Sequence, residues 1–178
     1  LLSPRLSMLE NNEGGFAPGF QEDGFVKPPR VVLVESGRLR EALVSPRSAK
    51  EYGLVPNAGM ESPESLELEA GTLDARDALR VLDRGLYIRN LWYLNFSDRA
   101  AGRITGMTRF ATFWVEGGRI VAPVTPIRFD DSVYRMLGAN LVDFTREREL
   151  LMDASTYGER STSSARLPGA LIQSVRFT

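Results

Sequence analysis

Two residue types are missing from the chain altogether: it contains no cysteine and no histidine. Without cysteine no disulfide can form, which fits a reducing compartment. Without either residue there is no thiolate or imidazole to bind a metal. A zinc site built from carboxylates alone runs against that ion's preference for nitrogen and sulfur. Cys–His and Ser–His–Asp nucleophile systems are excluded within this chain, because both need the imidazole as base. Chemistry done by these residues alone must use Asp, Glu, Lys, Tyr or Ser, or borrow groups from another chain. Lysine is scarce as well, with Lys27 and Lys50 set against 20 arginines. Arginine suits planar, bidentate contacts to carboxylates, although a genomic composition bias would give the same count. Long apolar runs are absent too. The most notable, Phe110 to Val115, is strand-sized, far below the ~18 residues of a membrane span. A net charge of −1 gives no field favouring nucleic acid or an anionic membrane. A soluble, cytoplasmic protein is expected.

What remains is ordinary for a globular protein: 178 residues, 43% hydrophobic and 25% charged. That length accommodates one domain, expected over 1–178, with 1–29 as an irregular lead-in rich in Gly and Pro. The chain starts Leu1-Leu2 with no basic leader or small-residue cleavage site, so it reads as a fragment of a longer protein and not as a signal peptide. Val31 to Glu35 and Arg38 to Val44 form a hairpin pattern about Ser36-Gly37. Ser45 as N-cap, Pro46 at the first helical position and Gly53 as stop predict a short helix. "SLELEAG" alternates like a half-exposed strand. "TLDARDALRVLDRG" predicts a helix capped by Asp74, with Asp77 completing a capping box and Gly85 ending it. "LYIRNLWYLNF" is apolar on both faces and predicts one interior strand. "DDSVYRMLGANL" predicts a helix entered through Asp131 or Ser132, "STYGERSTSSARLPG" a polar loop, and "ALIQSVRF" a last strand. Strands outnumber helices. The expected fold is mainly β (α+β), an antiparallel sandwich or partly closed barrel with two to four short peripheral helices.

The segment "ITGMTRFATFWVEGGRIVAPV", Ile104 to Val124, reads as one hairpin. Phe110, Thr112, Trp114 and Glu116 share one face; Arg109, Ala111, Phe113 and Val115 share the other. Gly117-Gly118 suits a two-residue turn with positive φ. Pro123 and Pro126 place the return strand at an edge, where an extended peptide could add as a strand. The lead Thr105, Gly106, Met107, Thr108 and Arg109 offers two hydroxyls, a guanidinium and a glycine, groups suited to a peptide carboxylate or main chain. The alternative is a core hairpin whose lead is only a turn.

Other groups have simpler readings. Asp130-Asp131 could act as a metal or acid–base pair, but capping a helix accounts for them. The carboxylates Glu61, Glu64, Glu67, Glu69, Asp74, Asp77 and Asp83 read as a solvated face. Arg99, Arg103 and Arg109 form a basic cluster that could grip phosphate or carboxylate. "ERSTSSAR" holds serines with no identifiable base.

Several segments in order resemble the TldD/PmbA family, once called modulators of DNA gyrase and regarded as zinc metalloproteases with inactive partners. They are "EDGF", "VVLVESGRLREALVSPRSAKEYG", "RGLYIRNLW", "RITGMTRFATFWVEGGRIVAPV" and "RLPGALIQSVRFT". The resemblance covers most of the chain and points to the family's C-terminal region. It implies that a catalytic TldD-type subunit would carry an H-E-x-x-x-H helix upstream and a cysteine between Leu151 and Ser163. The stretch "LMDASTYGERSTS" has none. The chain is therefore similar to the PmbA or TldE type, which lacks the metal site. By resemblance it has no cofactor of its own, and zinc is expected in the partner, a TldD-type subunit in a heterodimer, with a homodimer as the other arrangement. Its function would be to support assembly and to bind unfolded peptide substrate in proteolysis and peptide maturation. A purely structural dimerisation module, or a stand-alone hydrolase using carboxylate or serine, are the alternatives.

Overall fold

The structure, a computed structural model, describes every residue except Glu22, Asp23, Ser155, Tyr157 and Glu159. In chain order the elements are β1 (Met8–Asn11), β2 (Arg30–Glu35), β3 (Arg38–Leu39), α1 (Pro46–Tyr52) and β4 (Ser65–Leu68). A 3-10 turn (Ala75–Asp77) leads into α2 (Ala78–Leu82), β5 (Gly85–Ile88), β6 (Leu91–Asp98), β7 (Arg103–Thr108), β8 (Thr112–Glu116) and β9 (Arg119–Pro123). Then come β10 (Arg128–Ser132), a π-helical turn (Arg135–Ala139), β11 (Leu141–Met152) and β12 (Ser164–Ile172). Among the described residues the protein is mainly β, in three sheets with no closed barrel, and no helix is long and apolar enough to cross a membrane. Two compact units emerge. One comprises Leu6–Ala70 and Arg148–Pro168; the other comprises Leu1–Arg5, Gly71–Glu147 and Gly169–Thr178.

The first unit holds β1 to β4, with Arg148–Met152 of β11 and Ser164–Pro168 of β12, in a sheet of strand order β11-β12-β4-β1-β2-β3. Its local features obey its sequence. Ser36 and Gly37 both have positive φ (47° and 76°), the primed turn that matches strand twist. The Ser45 hydroxyl accepts from the Ser48 N–H at 3.2 Å, Pro46 opens α1, and Gly53 closes it in the left-handed region at φ 67°. Ser45 and Ser48 in turn donate to Glu61, whose carboxyl is pulled down to about 2 by those hydroxyls. Strand β1 is a correction to the irregular lead-in. It lies inside the expected loop and pairs with β2 on one side and β4 on the other. β12 is a second correction: Ser164 to Arg166, expected as loop, pair with Ser65 to Glu67 in parallel, an exception to the antiparallel rule. The rest of that polar loop includes Ser155, Tyr157 and Glu159, outside the described residues, as are Glu22 and Asp23 of the "EDGF" stretch.

Beside Val31 and Val34, each 1% exposed, this unit buries charge. The Lys27 side chain is 3% exposed and pairs with Glu64. Glu10, equally buried, accepts from the N–H groups of Glu64 (3.0 Å) and Ser65 (2.9 Å). Burial pushes the Glu10 carboxyl above its usual range despite those two donors. Burial also works to raise Glu67, but Asn11 and Arg148 outweigh it and hold that carboxyl low. The expected solvated acidic face is thus corrected: Glu64 and Glu67 are structural partners of buried or half-buried groups.

In the second unit, Asp74 caps as expected, accepting from the Arg76 N–H at 2.9 Å, but the first turn is 3-10 and α2 has only five residues. Asp83 (φ 55°) ends it in place of Gly85, because the Asp83 carbonyl is held by the Gly118 N–H at 2.9 Å and Gly85 already pairs with Val115. Val115 and Phe129 are fully buried here.

Removing the Lys27 ammonium leaves carboxylates without their buried counter-charge. Lys27→Ala is expected to lower unfolding stability by about 3 kcal/mol, read from the urea midpoint. Arg40→Ala, which breaks the exposed pair with Glu35, should change it by less than about 1 kcal/mol.

Candidate functional site

The single interior strand expected at 86–96 is two strands in two sheets. β5 pairs with β8 in the order β5-β8-β9, and β6 pairs with β7 in the order β10-β7-β6. The chain bends at Arg89-Asn90, and the facing chain bends at Arg109 to Ala111. Two backbone hydrogen bonds clamp these bends together. The Arg89 N–H donates to the Ala111 carbonyl at 3.0 Å, and the Arg109 N–H donates to the Asn90 carbonyl at 3.1 Å. The expected hairpin is therefore divided: β7 closes on β6, and only β8 and β9 meet across Gly117 and Gly118, both with positive φ (57° and 70°). β9 is an edge strand, as Pro123 indicated. Thr112 and Val115, expected on opposite faces, are both buried, 1% and 0% exposed.

The clamp leaves strain beside it. Phe110 (φ 58°) and Tyr93 (φ 50°) occupy the left-handed region, a rare conformation for bulky side chains. Both are largely exposed, at 74% and 76%. β6 bulges between Trp92 and Asn95 and again between Phe96 and Asp98, which re-aims side chains at a sheet edge. All eight residues of β6 are exposed, the reverse of the interior strand expected. Asn90 Oδ1 and Thr112 Oγ1, both at the clamp, are buried without a hydrogen-bond partner.

Arg109 sits at the centre of this surface. Its guanidinium carbon lies 4.6 Å from the Trp92 ring centre and 4.8 Å from that of Phe110. Such stacking holds the guanidinium flat while its N–H edge stays free to donate. Trp92 also meets Tyr93 edge to face at 5.7 Å. The five residues singled out in the sequence divide clearly. Thr105 Oγ1 donates to the Phe129 carbonyl at 3.0 Å and accepts from Arg128 Nε at 3.2 Å. Gly106 is buried, and a methyl there would meet Leu94 and Phe129 at 2.8 and 2.9 Å. Thr108 is fully buried and accepts from the Ile127 N–H at 3.1 Å. Met107 and Arg109 reach the surface. Strand β7, which carries Thr105 to Thr108, is paired on both edges. Trp92, Tyr93 and Phe110 were not read as part of the site. The signal for the first two was Arg89-Asn90, a polar pair interrupting an apolar run.

The basic cluster separates. Arg99 stacks over Phe96 at 5.1 Å, Arg103 pairs with Asp130, and only Arg109 belongs to the clamp. Asp130 and Asp131 are corrected from helix caps to residues of β10. Asp131, 1% exposed, accepts from Arg135 Nε at 2.8 Å and from the N–H groups of Arg176 (2.9 Å) and Ser132 (2.8 Å). Arg135 above all, aided by those backbone donors, holds its carboxyl down at about 2.

Three solved structures share this fold. TldE from Thermococcus kodakarensis superposes with a TM-score of 0.79 at 17% identity, covering 99% of this chain and 40% of that one. A putative modulator of a DNA gyrase from Thermotoga maritima gives 0.77 at 18% identity, covering 99% and 40%. One from Bacteroides thetaiotaomicron gives 0.76 at 18%, covering 99% and 37%. The chain thus spans about two fifths of the length of these proteins. No curated protein matches it by sequence. The family model described as the PmbA/TldA metallopeptidase C-terminal domain matches residues 1–178. The chain belongs to this family.

A PmbA/TldA metallopeptidase domain raises the question of a metal, and the donors present do not fit zinc. Imidazole and thiolate are lacking from the sequence, and Asp130 and Asp131 are each committed to an arginine. Among the described residues no three acidic side chains gather as a cation site.

Asp131 is depressed by folding, so the stability it contributes is fully present above its unfolded pKa of about 4 and fades as pH falls toward 2. Asp131→Asn should cost about 2 kcal/mol at neutral pH. In thermal melts its deficit against the parent should shrink steadily below pH 4.

Proposed function

We propose that this chain is the C-terminal region of a partner-type, PmbA/TldE-like subunit of a TldD/TldE-type zinc metalloprotease complex. One observation carries the reading: a domain of a metallopeptidase family with neither histidine nor cysteine. Hydrolytic chemistry is then left to another subunit, one bearing the H-E-x-x-x-H helix and its zinc. This chain contributes assembly and a grip on unfolded peptide.

The clamp surface supports the second role. Within Thr105 to Arg109, the groups left to meet a peptide are Met107 and Arg109, since the two hydroxyls and the glycine are engaged inside the sheet. The exposed aromatic side chains of β6 widen the apolar area beside them. Large exposed apolar patches mark interaction sites, which supports assembly and peptide contact alike.

The test is metal analysis and peptidase assay of the full-length protein carrying this chain. It is expected to purify without stoichiometric zinc and to cleave unfolded peptide only when mixed with an H-E-x-x-x-H subunit. Bound zinc with turnover by the protein alone would overturn the assignment.

A further inference from the structure

Tyr93 and Phe110 present an uncommon combination. Each is strained in its backbone and exposes about three quarters of a large side chain; Phe110 is stacked against Arg109, and Tyr93 meets edge to face Trp92, the other ring over that arginine. Neither strain nor exposure contributes to folding, and local backbone strain gathers where a ligand is handled. The guanidinium stacked on Trp92 and Phe110 is pre-oriented. Arg109 has two aromatic rings within 5 Å and no carboxylate partner among the described residues. No acidic residue occurs from Arg99 to Val115. Arg103, by contrast, is neutralised by Asp130 and Arg135 by Asp131. A flat, unpaired guanidinium bordered by apolar rings is complementary to a carboxylate attached to an apolar group.

The neighbouring backbone narrows the choice. A peptide running through the site would need a regular row of main-chain partners. β6 bulges twice and its neighbour β7 is already paired on both sides, an arrangement that discourages strand addition. Side-chain recognition of a chain end requires no such row.

We propose that Arg109, held against Trp92 and Phe110, binds the C-terminal carboxylate of an apolar-ended peptide, whose last side chain rests on Trp92, Tyr93 and Met107. This rests on the peptide-binding role proposed above and names the part of the peptide recognised.

The test is fluorescence anisotropy on the full-length protein, without a catalytic partner, using three dansylated probes. These are dansyl-Ala-Ala-Leu-Phe with a free carboxylate, its C-terminal amide, and the amide of dansyl-Ala-Asp-Leu-Phe. The free acid should bind roughly ten- to a hundredfold more tightly than its amide, the value of a charge-assisted hydrogen-bond pair. Arg109→Gln should bring the acid to the amide's level, while Arg99→Gln leaves the ratio unchanged. Equal binding of acid and amide overturns this inference and leaves the peptide-binding role standing. Binding of the Asp-containing amide as tightly as the free acid overturns the choice of a chain end. Binding of none of the probes overturns both proposals. Self-association of the protein abolished by Phe110→Ala with no effect on the probes overturns this inference alone, assigning the patch to a second copy.

Discussion

The pair of hydrogen bonds joining Arg89 to Ala111 and Asn90 to Arg109 is the constraint on which the second unit's surface depends. Two neighbouring chain segments would otherwise continue as one long antiparallel ribbon. The clamp makes both bend at the same level, so each segment contributes a strand to two sheets. On one side of it, Ile88 faces Thr112; on the other, Leu91 faces Thr108. Phe110 lies within the clamped turn with a left-handed backbone, and Tyr93 takes the same region at the β6 bulge between Trp92 and Asn95. The strain at Phe110 thus belongs to the same local geometry that places Arg109.

Arginine serves two purposes in this chain. Arg103, Arg135 and Arg148 are matched with Asp130, Asp131 and Glu67, half-buried pairs that fix strands and turns. Arg84, Arg99 and Arg109 lie over Trp114, Phe96 and Trp92 instead. The first group has its charge answered within the fold, and the second has its shape supported without its charge being neutralised. Only the second can hold a ligand anion without first breaking an ion pair. Asp130 and Asp131, the adjacent acidic pair, are each engaged by an arginine, and the sequence has no histidine or cysteine.

What could be read from the sequence was what is determined locally. The turns at Ser36-Gly37 and Gly117-Gly118 need residues tolerant of positive φ, and the ends of α1 need Ser45, Pro46 and Gly53; each is set by a few adjacent residues. The edge position of β9 followed from Pro123. Long-range pairing was not legible. Met8 to Asn11 is too short to show a period, and its burial comes from β2 and β4 on either side. The pattern predicts no strand over Leu141–Met152, because the run "TREREL" carries little apolar alternation. The division of β5 from β6 depends on contacts with Arg109 and Ala111, distant in sequence. The site was half legible for the same reason. Thr105 to Arg109 stood out, but only the fold could show that two of its hydroxyls are spent internally and that its arginine is shared with Trp92 from another strand.

The central claim is that the clamp holds the Arg109 guanidinium against aromatic faces at the surface. Proton NMR of the side chain tests it most directly. In the parent protein the Arg109 Nε–H and Hδ resonances should be displaced upfield by ring currents and return toward exposed-arginine positions in Trp92→Ala. Unperturbed resonances in the parent, identical in the variant, would contradict the account.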